Sequence, residues 1–168
     1  MTFATYEKSG RVATITLNRP ESRNAIATQQ DCDDLAGALW KANDDEAINA
    51  VILTGAGKSF CAGGDLKAIR ERSGIGPRAT PDGTRANYRR GVHSVIKALA
   101  EVEVATIAAI NGHAIGLGLD VGILCDMRLA GASAKMASSF VKVGIIPGDG
   151  GAWILTNAIG ASRAAELV

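Results

Sequence analysis

The chain has little of what builds metal sites or disulfide frameworks. Its three cysteines, Cys32, Cys61 and Cys125, form no Cys-x-x-Cys pair, and its two histidines, His93 and His113, lie far from any pair of cysteines. An odd number of widely spaced cysteines is typical of reduced thiols and argues against a disulfide scaffold. The same spacing provides no zinc-ligand pattern. We therefore expect neither a bound metal nor a disulfide framework.

The chain also lacks an excess of charge of either sign and lacks long apolar runs. The formal net charge of its 168 residues is +1, so bulk electrostatics does not favour nucleic acid or an anionic lipid surface as a partner. The apolar runs are interrupted well before they reach membrane-spanning length. The N-terminal stretch alternates and has no basic region before an apolar run, which argues against a signal peptide. We expect a single cytosolic domain with a neutral or locally guided ligand.

What the chain does have is a regular succession of strands and helices. Residues 3–7 and 12–17 are β-rich runs joined by a glycine-containing turn, which predicts an opening hairpin. Thr28 is a candidate N-cap for a helix that reaches about Asn43, and residues 50–54 predict a buried strand. Residues 73–84, rich in glycine and proline, predict a mobile surface loop. A helix over 85–100 and strands over 104–110 and 125–130 follow.

Strands separated by helices imply right-handed crossovers and a largely parallel sheet, which is an α/β architecture. Ligands of such sheets bind in the loops beyond the carboxyl ends of the strands. Two glycine-rich segments, residues 60–65 and 112–118, follow predicted strands. We therefore expect the two segments to face one pocket.

The first of these segments is FCAGGDL at residues 60–66, which has almost no side chain between an apolar pair and an aspartate. Glycine is kept where the chain adopts an unusual φ or where another group approaches the main chain closely. Two backbone N–H groups aimed at one point, one of them at a helix N-terminus, stabilise a developing oxyanion. The bare backbone thus predicts a main-chain site for a carbonyl oxygen.

Several segments, in this order along the chain, resemble the crotonase superfamily, whose best-known members are enoyl-CoA hydratases and isomerases. They are LNRPESRNAI, AVILTGAGKSFCAGGDL, AAINGHAIGLGLDVGILCDMRLA and FVKVGIIPGDGGAW. The resemblance implies a crotonase-like spiral of ββα units over residues 1–168 that binds an acyl-coenzyme A thioester. The substrate itself carries the coenzyme A, so the resemblance implies no separate cofactor and no metal.

In this family two main-chain N–H groups hold the thioester carbonyl, and the matching residues here are Gly64 and Leu117. Most relatives have glycine at the second position; leucine keeps the N–H group but narrows the pocket. The resemblance also implies contacts with the adenine and ribose-phosphate end of coenzyme A from Ser22, Arg23, Ala25, Ala62, Asp65, Leu66 and Lys67. Arg23 and Lys67 are equally consistent with solvated surface charges.

Typical hydratases of the family bring two glutamates to one water, and this chain departs from that pattern. Asp120 matches the first glutamate and Phe140 the second, so one proton-transfer group, which is worth about a hundredfold or more in rate, is absent. Asp149 is the candidate substitute, with an N-cap for the following helix as its structural alternative. The alternative for Asp120 is a buried aspartate tied to the backbone or to Arg128.

Three other side chains are weaker candidates. Cys61 has no histidine partner and is expected to point into the core, which argues against a nucleophile. His93 is expected to be a surface or packing residue of its helix. His113 lies in the glycine-rich turn and is an outside candidate for lining the substrate pocket, together with Phe140.

The missing second acid leaves several functions open. Hydration of an α,β-unsaturated acyl-CoA is the first expectation; isomerisation or another acyl-CoA reaction with a single carboxylate is the alternative, and a catalytically silent acyl-CoA-binding protein is a third reading. A dinucleotide fold is weaker, because the third glycine of GLGLDVG comes one position too late for G-x-G-x-x-G. The sequence identifies neither the acyl chain nor the pathway.

The sequence ends at Val168 inside a predicted amphipathic helix, with neither a capping glycine nor a proline. Family members continue into a C-terminal helical region that closes over the acyl group and builds trimer contacts. The resemblance therefore implies that this region is missing or truncated here, and that the full-length chain forms a homotrimer or a dimer of trimers. If the chain is complete, we expect an exposed apolar face.

Overall fold

The computed structural model describes residues 2–168, which form eight strands, seven α-helices and two short 3-10 helices, Pro20–Ser22 and Ser139–Val143. The strands are β1 Ala4–Ser9, β2 Val12–Leu17, β3 Ala50–Gly55, β4 Ser59–Cys61, β5 Ala105–Ile110, β6 His113–Ile115, β7 Met127–Ala130 and β8 Met136–Ala137. The helices are α1 Gln29–Asn43, α2 Leu66–Arg70, α3 Pro81–Arg90, α4 Val92–Glu101, α5 Leu117–Leu124, α6 Gly151–Ile159 and α7 Ala161–Glu166.

The strands form two sheets where the sequence predicted one. Five strands pair in the order β1-β2-β3-β5-β7, with only the β1–β2 hairpin antiparallel, and three strands pair in parallel in the order β4-β6-β8. The successive pairs β3–β4, β5–β6 and β7–β8 each contribute one strand to each sheet. This repeat confirms the spiral of ββα units. The single sheet was a wrong expectation because strands as short as β6 are hidden inside a glycine-rich segment.

The predicted hairpin and first helix are confirmed. Thr28 caps α1 by accepting a hydrogen bond from the Asp31 N–H, and the Asp31 carboxylate accepts in return from the Thr28 N–H, which completes a capping box. Asp31 also forms a bidentate ion pair with Arg19 at 2.7 Å. These bonds fix the segment that leads from β2 into the helix.

The single helix predicted over residues 85–100 is wrong, because the chain forms two helices that meet at Gly91. The Thr80 side chain accepts from the Gly83 N–H and Pro81 occupies the first turn, so α3 begins earlier than predicted. Gly91 adopts a φ of −98° and a ψ of −99°, which breaks the helix. The Gln29 side chain fills the space that a Cβ at this position would occupy.

The segment between α2 and α3, predicted as a mobile surface loop, is fastened to the body of the protein. The buried Asn87 side chain donates to Gly74 O at 3.1 Å and to Gly76 O at 2.9 Å. The Arg78 guanidinium donates to Gly74 O at 2.7 Å and to Arg72 O at 2.9 Å. These bonds satisfy main-chain carbonyls that no strand or helix would satisfy, and they hold the segment against the body of the protein.

The core lies between the large sheet and the helices, and α5 runs through it. The residues from Leu117 to Gly122 are all buried, so this part of the helix has no solvent-exposed face, and it anchors the second glycine-rich segment in the core. Cys61 is fully buried, as predicted. Met127 and Leu129 on the edge strand β7 are more than half exposed. None of the helices in residues 2–168 has both the length and the apolar character needed to cross a membrane.

Candidate active site

A cavity of about 150 Å³ opens between the two glycine-rich segments. Its wall includes Ala62, Gly63, Gly64 and Leu66 from the first segment, Ile115, Gly116 and Leu117 from the second, Phe140, Gly148 and Asp149 from the region before α6, and Ile69, Ile75, Tyr88 and Val92 from the part of the chain that runs from α2 to α4. Parallel pairing of β4 with β6 brings the first two segments together. The expectation that both face one pocket is confirmed.

The glycines allow the two segments to pack main chain against main chain. Gly63 has a φ of +87°, and a Cβ there would clash with Ile115 O and lie 3.4 Å from Leu117 N. A Cβ on Gly118 would clash with Cys61 O. The stripped backbone of FCAGG is therefore required by the contact between the two loops, in addition to any ligand that approaches them.

The amides of Gly64 and Leu117 are both left free by the fold. Ile26 forms a parallel bridge at Gly64, in which the Ile26 N–H donates to Gly63 O at 2.9 Å and the Asp65 N–H donates to Ile26 O at 2.8 Å. In such a bridge the Gly64 amide points away from the neighbouring segment. Leu117 is the first residue of α5, so its N–H has no acceptor within the helix. Within residues 2–168 neither amide donates to a loop or cap carbonyl.

Two buried carboxyl groups meet beside the cavity. Asp149 is 4% exposed and lines the cavity, while Asp120 is fully buried and lies behind it. Asp149 Oδ1 accepts from the Gly151 N–H at 3.0 Å, but Asp149 Oδ2 and both Asp120 oxygens have no donor among the described residues. Gly151 has no Cβ, and a Cβ there would clash with the Asp120 carboxylate. The two groups can satisfy each other only if one of them carries a proton.

Burial and mutual repulsion keep a proton on this pair at neutral pH. Burial raises the pKa of Asp120 to about 8, and the neighbouring Asp149 charge adds to the increase. Burial also raises the pKa of Asp149, against the hydrogen bond from the Gly151 N–H, which lowers it. The Gly151 N–H belongs to the N-terminus of α6, whose dipole favours the anion. The pair therefore holds one proton and one negative charge, with Asp149 as the better anion.

The alternatives weighed for the two aspartates are resolved differently. The N-cap of α6 is Gly150 and has no side-chain bond, but Asp149 does accept from the first N–H of the helix, so one oxygen is structural and the other remains available. Arg128 donates to Ile123 O and Cys125 O, and it does not pair with Asp120. Asp120, expected next to the carbonyl site, reaches the cavity only through Asp149.

Phe140 and His113 were both expected to line the substrate pocket, and only Phe140 does so. Phe140 lines the cavity, and its ring lies 3.6 Å from where a Cβ on Gly116 would stand. His113 lies in β6, opposite Ser59 of β4, and lines none of the three cavities described in this structure. The prediction that His113 lines the pocket is therefore wrong. It is half-buried in the middle strand of the small sheet.

Tyr88 and His93 were missed as parts of the site. Tyr88 lines the cavity, and burial together with the nearby Asp149 charge raises the pKa of its hydroxyl. His93 Nε2 lies 2.7 Å from Gly148 O, which as a carbonyl can only accept, so this nitrogen is the donor. The two rings make an edge-to-face contact at 6.0 Å. His93, predicted to be a surface or packing residue, fixes the turn that carries Asp149.

The predicted coenzyme A residues line a second cavity of about 320 Å³. Its wall includes Ser22, Arg23, Ala25, Ala62, Asp65, Leu66 and Lys67, all seven of the residues expected to contact coenzyme A. It shares Ala62, Gly64 and Leu66 with the first cavity, so the two adjoin. The Asp65 side chain accepts from the Ala68 N–H at 2.7 Å and caps α2. Asp65 therefore helps to shape this wall by fixing the start of α2.

The raised pKa of Asp120 predicts how stability depends on pH. The folded chain keeps the proton of the carboxyl pair up to about pH 8, whereas the unfolded chain loses it near pH 4. The free energy of unfolding therefore falls as pH rises through this window. Asp120→Asn imitates the protonated form, so we expect its melting temperature to exceed that of the parent by an amount that grows from pH 4 and levels off above pH 8.

The difference in the free energy of unfolding between Asp120→Asn and the parent should grow by about 1 kcal/mol per pH unit within this window. Thermal melts at pH 4 to 9 of the parent, Asp120→Asn and the surface control Asp82→Asn test it. A difference between parent and Asp120→Asn that is constant with pH would show that Asp120 titrates normally.

Comparison with known proteins agrees with this geometry. Residues 7–168 match the family model described as enoyl-CoA hydratase/isomerase. The chain is 39% identical over 158 residues to a probable enoyl-CoA hydratase, EchA14, of Mycobacterium tuberculosis, covering 93% of this chain and 58% of that protein. It is 38% identical over 165 residues to the short-chain-enoyl-CoA hydratase of Clostridium acetobutylicum, covering 96% of this chain and 59% of that protein.

Among solved structures, an enoyl-CoA hydratase from Bacillus anthracis superposes with a TM-score of 0.86 at 32% identity, covering 99% of this chain and 62% of that one. The chain thus spans about three fifths of the length of these relatives. The family model, the relatives and the ββα spiral agree that the chain belongs to the enoyl-CoA hydratase/isomerase family of the crotonase superfamily.

Proposed function

We propose that the chain processes acyl-coenzyme A thioesters, and that its reaction is the hydration of an α,β-unsaturated acyl-CoA. One observation carries the proposal: two free main-chain amides and a buried carboxyl pair border a single cavity, and that cavity adjoins the predicted coenzyme A wall. The coenzyme lies along the second cavity, and the thioester enters the first. The Gly64 and Leu117 N–H groups hold its carbonyl oxygen.

The two amides act on the charge that develops during the reaction. When water adds to the β-carbon, an electron pair moves onto the thioester oxygen, and hydrogen bonds preorganised at this oxygen stabilise the resulting enolate. The N-terminus of the buried helix α5 adds its dipole to the Leu117 bond. The enolate then takes a proton at the α-carbon.

Asp149 supplies the proton chemistry. As the ionised member of the pair it takes a proton from the attacking water, and it returns a proton to the α-carbon, so that water is added across the double bond. Asp120 keeps its own proton and donates a hydrogen bond to Asp149, which holds the carboxylate in place and keeps it ionised. Asp120 is therefore a positioning residue, and Asp149 is the catalytic one.

Isomerisation of a 3-enoyl-CoA to the 2-enoyl-CoA is the second candidate. Within residues 2–168, Asp149 is the one carboxylate that lines the cavity. By the resemblance, Phe140 matches the position of the family's second acid. A single carboxylate suffices to remove a proton from the α-carbon and to return it to the γ-carbon. Both reactions use the same enolate and the same amides.

Paired substrates test the proposal. We expect the protein to convert trans-2-hexenoyl-CoA to the 3-hydroxyacyl-CoA, measured by loss of the conjugated enoyl absorbance and by mass spectrometry. Conversion of trans-3-hexenoyl-CoA without hydration would instead establish the isomerase. Binding of hexanoyl-CoA in calorimetry without turnover of either enoyl substrate would show a silent binding protein.

The proposal also includes assembly as a homotrimer or a dimer of trimers and a cytosolic location. Sedimentation of the full-length protein tests the assembly.

A further inference from the structure

A third cavity of about 630 Å³ adjoins the reaction cavity on a side away from the coenzyme wall. It shares Ile69, Tyr88, Ile145 and Gly148 with the reaction cavity. It shares no lining residue with the cavity of the predicted coenzyme A residues. When a thioester places its coenzyme along the second cavity and its carbonyl between the two glycine-rich loops, its acyl chain runs toward the third cavity, which we call the basin.

The charge of this basin has one sign. Arg72, Arg78 and Arg85 line it, and no aspartate or glutamate of the described residues does. Residues 70–90 carry six arginines and only two acidic residues, although the whole chain has a net charge of +1. Such a concentration of positive charge in a concave site attracts anionic ligands.

Two of the arginines are available to a ligand, and the third is structural. Arg78 donates to the carbonyls of Arg72 and Gly74 and to the Asn87 side chain, so it holds the wall in place. The ion pairs found within residues 2–168 are Lys8–Asp45 and Arg19–Asp31, and neither Arg72 nor Arg85 belongs to them. Guanidinium groups match carboxylates in bidentate geometry.

The rest of the basin wall is largely apolar. Pro77, Ala79, Pro81 and Ile146 contribute to it, with the Tyr88 ring at the entrance shared with the reaction cavity. A ligand that suits this wall has a hydrocarbon part and an anionic end. An ordinary fatty acyl chain offers only the first of these.

We propose that this basin receives the far end of an acyl chain that terminates in a carboxylate, so that the preferred substrates are thioesters of α,ω-dicarboxylic enoic acids. Arg72 and Arg85 bind the terminal carboxylate, and Tyr88 separates this polar end from the reacting carbons. The proposal rests on the acyl-CoA function proposed above and adds its substrate class.

Matched substrate pairs test the proposal. We compare kcat/KM for trans-2-hexenedioyl-CoA with trans-2-hexenoyl-CoA, and for the eight-carbon diacid with its neutral counterpart. We expect the parent to prefer a diacid by about tenfold or more. Arg72→Gln/Arg85→Gln should abolish that preference by raising KM for the diacid alone, while Arg89→Gln, an exposed arginine outside the three cavities, should keep it.

The outcomes separate the substrate class from the function itself. Turnover of the neutral substrates without a preference for either diacid would overturn the dicarboxylate proposal and leave the acyl-CoA function standing. An equal loss of kcat/KM on neutral and diacid substrates in the double variant would mean that the arginines bind the phosphates of coenzyme A. That result would also overturn the dicarboxylate proposal. Absence of turnover and of hexanoyl-CoA binding would instead reject the acyl-CoA function.

Discussion

Replacing Asp149 by asparagine is expected to lower kcat by about 100- to 10,000-fold, the range over which a positioned general base contributes to catalysis. Asparagine keeps the Oδ1 acceptor that receives the Gly151 N–H, so the turn before α6 retains its structure. It removes the negative charge that takes a proton from water in the proposed reaction, and no other carboxylate of the described residues lines the cavity. The loss therefore falls on the chemical step and leaves ligand binding intact.

The measurement is kcat with the substrate that the parent turns over, together with the dissociation constant of hexanoyl-CoA, which has no double bond to react. We expect that constant to change by no more than about twofold, the size of a surface perturbation. Asp82→Asn, an exposed aspartate of α3 outside the cavities, serves as the matched control. An Asp149→Asn variant that keeps a tenth or more of the parent kcat would remove Asp149 from the mechanism.

The sequence predicted the parts of the fold that have local signals. Thr28 with Asp31 three residues later marks a helix start, and the hairpin of β1 and β2 shows alternation around a glycine turn. The division into two sheets has no such signal, because β4, β6 and β8 span three residues or fewer. At the helix break, the distant Gln29 side chain occupies the space that a Cβ on Gly91 would take, and no local window contains that contact.

The residues of the candidate site likewise divide into those with a local sequence signal and those that only the fold brings together. Main-chain donors and coenzyme-wall residues lie in contiguous motifs, so the resemblance could nominate them one by one. The carboxyl pair joins residues 29 positions apart across Gly151, and only the fold shows that Asp120 stands behind Asp149. Tyr88 of α3 lines the cavity directly, whereas His93 of α4 acts on the site through the Gly148 turn, and neither residue belongs to a motif.

Replacing Leu117 by proline is expected to lower kcat by about 100- to 1,000-fold, the cost of removing one oxyanion donor. Proline has no N–H group, and the first position of a helix tolerates it because that N–H has no acceptor within the helix. Leu117 is this first residue of α5, and it follows Gly116, which has no Cβ to clash with the proline ring. The substitution therefore removes the donor and preserves the helix.

Leu117→Ala is the matched control, because it shortens the same side chain and keeps the N–H group. Leu117 is 4% exposed, so both variants lose about 3 kcal/mol of stability from the truncated side chain, and circular dichroism and thermal melts check that both remain folded at the assay temperature. The ratio of their kcat values then isolates the amide. If the alanine and proline variants turn over equally fast, the Leu117 N–H does not bind the thioester oxygen, and a carbonyl site between the two glycine-rich loops is rejected.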